Sequence, residues 1–189
     1  MAAFPLDALH LSDIMVSGRG AKSCPFTANG KPVTQVFGPM RVAFEPSAYG
    51  DQDASRVNIC WRIPDDATMN AFEGLDEWVL ATVSKDPVKY FGKQKTADQI
   101  QDSYCSCVKR SDKYPPQIRA KLNLSGSYPV KVWDANGKPR PHPETGKDAL
   151  VKPQLQLKNL YFMGQGAFGC TLECTDVQLV EEATQACPF

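Results

Sequence analysis

The sequence predicts a mainly β domain carrying two helices, an α+β class, and three observations predict it. Residues 56–63 alternate, with Val57, Ile59, Trp61 and Ile63 on one face and Arg56, Asn58 and Arg62 on the other, which is the period of a half-buried strand. Met69, Phe72, Leu75, Trp78, Val79 and Thr82 recur at spacings of three and four, which is one face of a helix. Two long β-prone runs, 154–163 and 168–180, are joined by Gly164-Gln165-Gly166-Ala167, which reads as a hairpin.

Composition sets the bounds. A chain of 189 residues with 42% hydrophobic and 22% charged residues is ordinary for one globular domain able to bury its own core. No apolar run reaches the roughly 18 residues of a membrane helix. Residues 1–15 contain Asp7 and Asp13 and no basic residue, unlike the positive start of a secretory signal. Seven cysteines without an export signal are read as reduced thiols in the cytoplasm or nucleus of a cell.

In chain order, residues 1–32 are expected to be irregular, broken by Gly18, Gly20, Pro25, Asn29, Gly30 and Pro32. Strands follow at 33–37 and 40–44, separated by Gly38-Pro39, and then the strand 56–63. Pro64-Asp65-Asp66 opens the first helix, running to about residue 84, because an acidic residue caps the free N–H groups there. Thr96 caps a second, expected over 96–110. Strands at 117–124 and 128–133 lead to a turn at Asp134-Ala135-Asn136-Gly137-Lys138 and a Pro/Lys-rich loop to 149. In the last strand, Cys170, Leu172 and Cys174 have one parity and Val177 and Leu179 the other. A bulge or bend near Thr175-Asp176 brings both sets inward.

Catalytic chemistry has little to work with. The two histidines, His10 and His142, stand in segments read as loops, with no nucleophile signature around either. There is no phosphate-cradling Gly-Lys-Ser/Thr loop. Cys105, Cys107, Cys170 and Cys174 supply four thiols, the number a structural zinc takes. Placed two apart on a helix and four apart on a strand, they do not converge, so they are read as small buried hydrophobes. No metal or cofactor is expected, and no enzyme.

Charge is neutral overall, with 21 basic and 21 acidic residues, but unevenly placed. Residues 85–158 hold 15 Lys and Arg against 7 Asp and Glu, and the rest of the chain holds 6 against 14. A neutral chain with that layout can present a basic face. Aromatics are interleaved with these cations at Lys89-Tyr90-Phe91-Gly92-Lys93, Lys113-Tyr114, Lys131-Val132-Trp133 and Lys158-Asn159-Leu160-Tyr161-Phe162. Single-strand binders combine these two features, cations tracking the phosphates and rings stacking on bases. Trp133 shares a face with Lys131 and leads the stacking candidates, followed by Tyr90 and Phe91. Lys89, Lys93, Lys95, Arg119, Lys121 and Lys131 are the phosphate candidates.

The C-terminal half carries a resemblance. A strand QIRAKLNL (117–124), a strand and turn VKVWDANGK (130–138), a Pro/Lys-rich loop, the run KPQLQL (152–157) and a last strand FGCTLECTDVQLVEEA (168–183) resemble the single-stranded DNA-binding proteins of podophages and large DNA viruses. The resemblance covers about residues 117–183, with 33–63 matching in outline as opening strands. It implies an OB-fold-like antiparallel Greek-key barrel of about five strands with a helical insertion at 66–110. It also implies one domain over 1–183, a short tail at 184–189, and sequence-tolerant binding of single-stranded DNA in replication, recombination or repair. Family tails end in an aromatic that recruits replication proteins; here Pro188 and Phe189 stand at that place, with almost no acidic run before them. Self-association into a homo-oligomer is compatible with this reading. The alternative class is a structural β-barrel or sandwich protein, such as a minor virion component, that binds other proteins.

Overall fold

The computed structural model describes residues 3–18, 20–47, 55–140, 146–164 and 166–181. His142, Pro188, Phe189 and the tail at 184–189 lie outside them. After a 3-10 turn at Leu6–Ala8 come strands β1 (Leu9–Leu11), β2 (Met15–Val16), β3 (Lys22–Ala28), β4 (Lys31–Val36), β5 (Met40–Arg41) and β6 (Arg56–Arg62). Helices α1 (Asp66–Lys85), α2 (Pro87–Phe91) and α3 (Ala97–Ser103) follow. The chain then makes β7 (Tyr104–Cys105), β8 (Val108–Lys109), β9 (Gln117–Asn123), β10 (Lys131–Trp133), β11 (Pro139–Arg140), β12 (Leu150–Phe162) and β13 (Phe168–Glu181). No helix among the described residues is long and apolar enough to cross a membrane.

The ladders curl into a barrel circuit. β4 and β5 pair with β12, which pairs with β13; β13 pairs with β9, and β9 with β6. The segment after β5 returns to β6 through the Val42–Trp61 bridge and the Ala43 N–H bond to the Cys60 carbonyl, 2.8 Å. This is the Greek-key order of an OB fold, with α1–α3 inserted between β6 and β9. The sheet is mixed rather than purely antiparallel, because β7, β9 and β10 all run parallel to β13.

The inward faces make the core. Val57, Ile59 and Trp61 of β6 meet Ile118, Ala120 and Leu122 of β9 there, all buried. Helix α1 lays Phe72, Leu75, Val79 and Val83 onto the same core. Phe72 stacks on Phe37 at 4.9 Å, and Phe4 meets both edge-on; such pairs add about 0.5–1.5 kcal/mol each beyond burial. Asp65 caps α1 by accepting from the Thr68 N–H at 2.7 Å. The expected bulge is present: Gln154 pairs with Asp176 and Leu155 with Cys174, leaving Thr175 unmatched. That one-residue slip buries both Cys174 and Val177.

Three expectations are corrected. Residues 9–11, 15–16 and 22–28 are strands, not irregular chain; His10 stands on the first rather than in a loop, and Cys24 and Phe26 are buried in the last. The Asn29-Gly30 turn, both residues at positive φ, connects β3 to β4. The second helix stops at Ser103 instead of continuing to 110. Asp76 of α1 accepts from Tyr104 Oη (2.6 Å), Ser106 Oγ (2.5 Å) and the Cys107 N–H (3.2 Å), which holds this segment extended. Cys105 and Cys107 are therefore not on a helix. Lastly, residues 87–91 form the unexpected short helix α2, capped by Asp86 and closed by Gly92 at φ 72°.

Candidate nucleic-acid interface

Strand alternation that buries one face of β6 and β9 must expose the other. Arg56, Asn58, Cys60 and Arg62 point outward on β6, and Arg119, Lys121 and Asn123 on β9. The register sets Arg56 opposite Asn123, Asn58 opposite Lys121 and Cys60 opposite Arg119. The row continues across the barrel, since Lys121 pairs with Glu173, Glu173 with Gln156 and Gln156 with Thr34. Asn58, Lys121, Glu173, Gln156 and Thr34 thus form one polar band over five strands.

Cations flank this band around Glu173. Arg56 lies 3.5 Å and Lys158 3.7 Å from the two oxygens of Glu173. Burial pushes the Lys121 ammonium below its ordinary pKa, and Arg56 and Arg119 push the same way against the pull of Glu173. Cys60 is raised by burial and drawn back by Arg119 and Lys109. Glu173 thus offsets Arg56 and Lys158, while Lys121 and Arg119 stand on the same face with less compensation.

Two clefts open along the band. The first, about 960 Å³, is lined by Arg56, Asn123, Ser125, Tyr128, Lys131, Gln156, Lys158 and Glu173. Tyr128 is 85% exposed at its edge. The second, about 370 Å³, is lined by Phe44, Asn58, Cys60, Lys109 and Arg119. Exposed Phe44 packs edge-to-face on exposed Tyr114 at 5.5 Å beside it. Asn58, Arg119 and Lys121 connect the two, so a basic strip runs between aromatic side chains at either end.

The candidates from sequence divide. Arg119, Lys121 and Lys131 stand on this strip. Tyr90, Phe91, Lys93 and Lys95 line a separate cleft of about 430 Å³ with Lys22 and the β12–β13 turn. There Lys95 Nζ sits 4.3 Å from the Phe91 ring centroid and donates to Ser103 Oγ at 3.1 Å. Lys89 Nζ lies 5.4 Å from the Tyr90 ring centroid. Tyr90 itself is only 5% exposed and stacks on Phe162 at 5.8 Å. Its ring therefore packs against β12 and also edges this cleft beside Phe91. Trp133 lines none of these three clefts. Its Nε1 donates to Asp176 Oδ1 at 3.1 Å, and Gln154 Nε2 donates to the other oxygen at 3.1 Å.

Sequence reasoning did not single out Arg56, Phe44 or Tyr128, and noted Lys158 only within the interleaved run 158–162. Tyr128 was expected in a strand at 128–133, but the strand begins at Lys131, and Tyr128 stands exposed in the loop between Ser125-Gly126-Ser127 and Pro129. Among the described residues no group of three or more His, Cys, Asp and Glu is disposed to hold a metal ion. Cys174 Sγ donates instead to the Asp176 carbonyl at 3.3 Å.

No protein-family model and no curated protein matches the chain. Solved structures do. The single-stranded DNA-binding protein gp2.5 of bacteriophage T7 superposes with a TM-score of 0.58 at 14% identity, over 80% of this chain and 93% of that one. The single-stranded DNA-binding protein of bacteriophage Enc34, in complex with single-stranded DNA, gives 0.54 at 12% identity over 84% and 95%. A second structure of the single-stranded DNA-binding protein of bacteriophage Enc34 gives 0.54 at 11% identity over 95% and 94%. The chain has the OB fold of these phage single-stranded DNA-binding proteins.

Proposed function

We propose that this protein binds single-stranded DNA with little regard to sequence, along the outer face of β6 and β9. The observation that carries the reading is the basic strip bounded by exposed aromatics: Phe44 and Tyr114 at one end, Tyr128 at the other, and Arg119, Lys121, Arg56 and Lys158 between. Cations release counterions from phosphates, and rings stack on any base. The fold shared with phage proteins of that activity supports it. So do the free thiols at Cys24, Cys60, Cys105, Cys107, Cys170 and Cys174, which suit the reducing compartment where DNA is copied.

The process served is DNA replication, recombination or repair, and recruitment of replication proteins through Pro188 and Phe189 belongs to the same proposal. The experiment is an anisotropy titration of labelled oligo-dT at about 50 and 200 mM salt. Binding that weakens with salt and far exceeds that of duplex supports the strip. No binding at low salt and micromolar protein removes the reading.

A further inference from the structure

Two acids line the first cleft of a strip otherwise rich in cations, Asp176, whose oxygens accept from Trp133 and Gln154, and Glu173. The Glu173 side chain is 8% exposed, whereas those of Arg56 and Lys158 beside it are 48% and 41% exposed. The cations therefore stand at the rim of the 960 Å³ cleft and the carboxylate at its floor. A phosphate is repelled from that floor. A nucleobase is not, because cytosine and adenine carry an exocyclic amino donor where thymine presents a carbonyl. The rest of the lining suits a base as well: Asn123 and Gln156 offer amide groups, and Tyr128 supplies an open ring at the edge. The cleft falls within the size range of small-molecule sites, roughly 300–1,000 Å³.

We propose that this cleft is a base-reading subsite in which Glu173 accepts the exocyclic amino group of a cytosine; the inference rests on the single-stranded DNA reading above. An ionised carboxylate only accepts, and each oxygen has two lone-pair sites. Its contacts to Arg56 and Lys158 thus leave acceptor capacity facing the cleft. The consequence is a preference at one base within an otherwise sequence-tolerant path, with phosphates held at the rim and the base turned inward.

The experiment compares oligo-dC, oligo-dT and an oligomer of 2-pyrimidinone deoxynucleotide, which is cytosine without its amino group, on the wild-type protein and on Glu173→Gln and Glu173→Ala. The expected result is oligo-dC bound several-fold more tightly than both others, with the ratio reduced towards one in either variant. Glu173→Gln reduces it further, because its amide also donates to the thymine carbonyl. Affinity ratios within one variant do not depend on the folded fraction, so partial unfolding leaves the comparison intact. Equal binding of oligo-dC and oligo-dT by the wild type overturns the inference, as does a 2-pyrimidinone oligomer bound as tightly as oligo-dC. A dC preference that survives in both variants also overturns it, since it then comes from stacking. If no oligonucleotide binds, the DNA reading itself fails, and this one with it.

Discussion

Lys121 and Glu173 stand opposite each other as a parallel-register pair across β9 and β13, on the outside of the barrel. Glu173 is already matched to Arg56 and Lys158, so Lys121 is held half-buried among cations with only partial compensation. Its pKa is lowered, burial being the largest cause. A lysine in that state is costly to the fold when charged. The sign follows: below its folded pKa the penalty is fully present, and it is relieved as pH rises through that value, ahead of an ordinary lysine. Lys121→Met is expected to leave the melting temperature unchanged or raise it. The same variant weakens single-stranded DNA binding, with the slope of log affinity against log salt falling by about one phosphate contact. Thermal melts and salt titrations on one preparation check both halves.

Tyr128 and Tyr90 separate the two uses of an aromatic ring. Tyr128→Ala removes an exposed ring and is expected to cost roughly 1–3 kcal/mol of oligonucleotide affinity with no change in stability. Tyr90→Ala empties a packed site against Phe162 and is expected to destabilise the fold by about 3–5 kcal/mol. Urea unfolding and anisotropy on both variants give the comparison. Equal binding losses at unchanged stability would place Tyr90 back among the stacking residues.

How far these distinctions were legible in the sequence depends on the range of the forces behind them. Val57, Ile59 and Trp61 announce their strand because one buried face imposes period two. The bulge at Thr175 was legible because Cys174 and Val177, of opposite parity, both had to be buried. The end of α3 was not, since Ile100, Tyr104 and Cys107 also fit a helical face. What stops the helix is the Asp76 carboxylate, arriving from α1 about thirty residues earlier in the chain. Pro25 concealed β3, where its carbonyl accepts from Ser12 N–H at 2.9 Å. The concentration of cations in 85–158 was visible as a count. Which ring remained open was not, because Tyr90 is covered by a residue 72 positions away and Tyr128 by none of its loop.

Gly169 is required by an approach no side chain tolerates. A Cβ there would lie 2.7 Å from the Cys105 carbonyl oxygen and 3.1 Å from the Cys105 Cβ. These are atoms of the paired strand β7, which cannot move without breaking its ladder to β13. Gly169→Ala is expected to destabilise by about 1–3 kcal/mol, read as a lower urea midpoint at unchanged slope. Its DNA affinity should be retained at temperatures where it is folded, since the band of Lys121 and Glu173 lies further along β13.

Cys60 offers a direct footprint of the strip. Its thiol lines the cleft with Phe44, Lys109 and Arg119, partly exposed, whereas Cys24, Cys107 and Cys174 are buried. Burial raises the Cys60 pKa, so its thiolate fraction is small at neutral pH and grows as pH rises, and maleimide labelling should accelerate accordingly. In the folded protein Cys60 is expected to label before the three buried thiols, which react only on unfolding. Saturating oligo-dT should then slow labelling at Cys60 while leaving Cys105 and Cys170 at their free rates. Peptide mapping by mass spectrometry resolves the sites. Unchanged labelling of Cys60 in a protein demonstrably saturated with DNA would move the bound strand off β6 and β9, with the lysine-lined cleft at Phe91, Lys93 and Lys95 the next surface to probe.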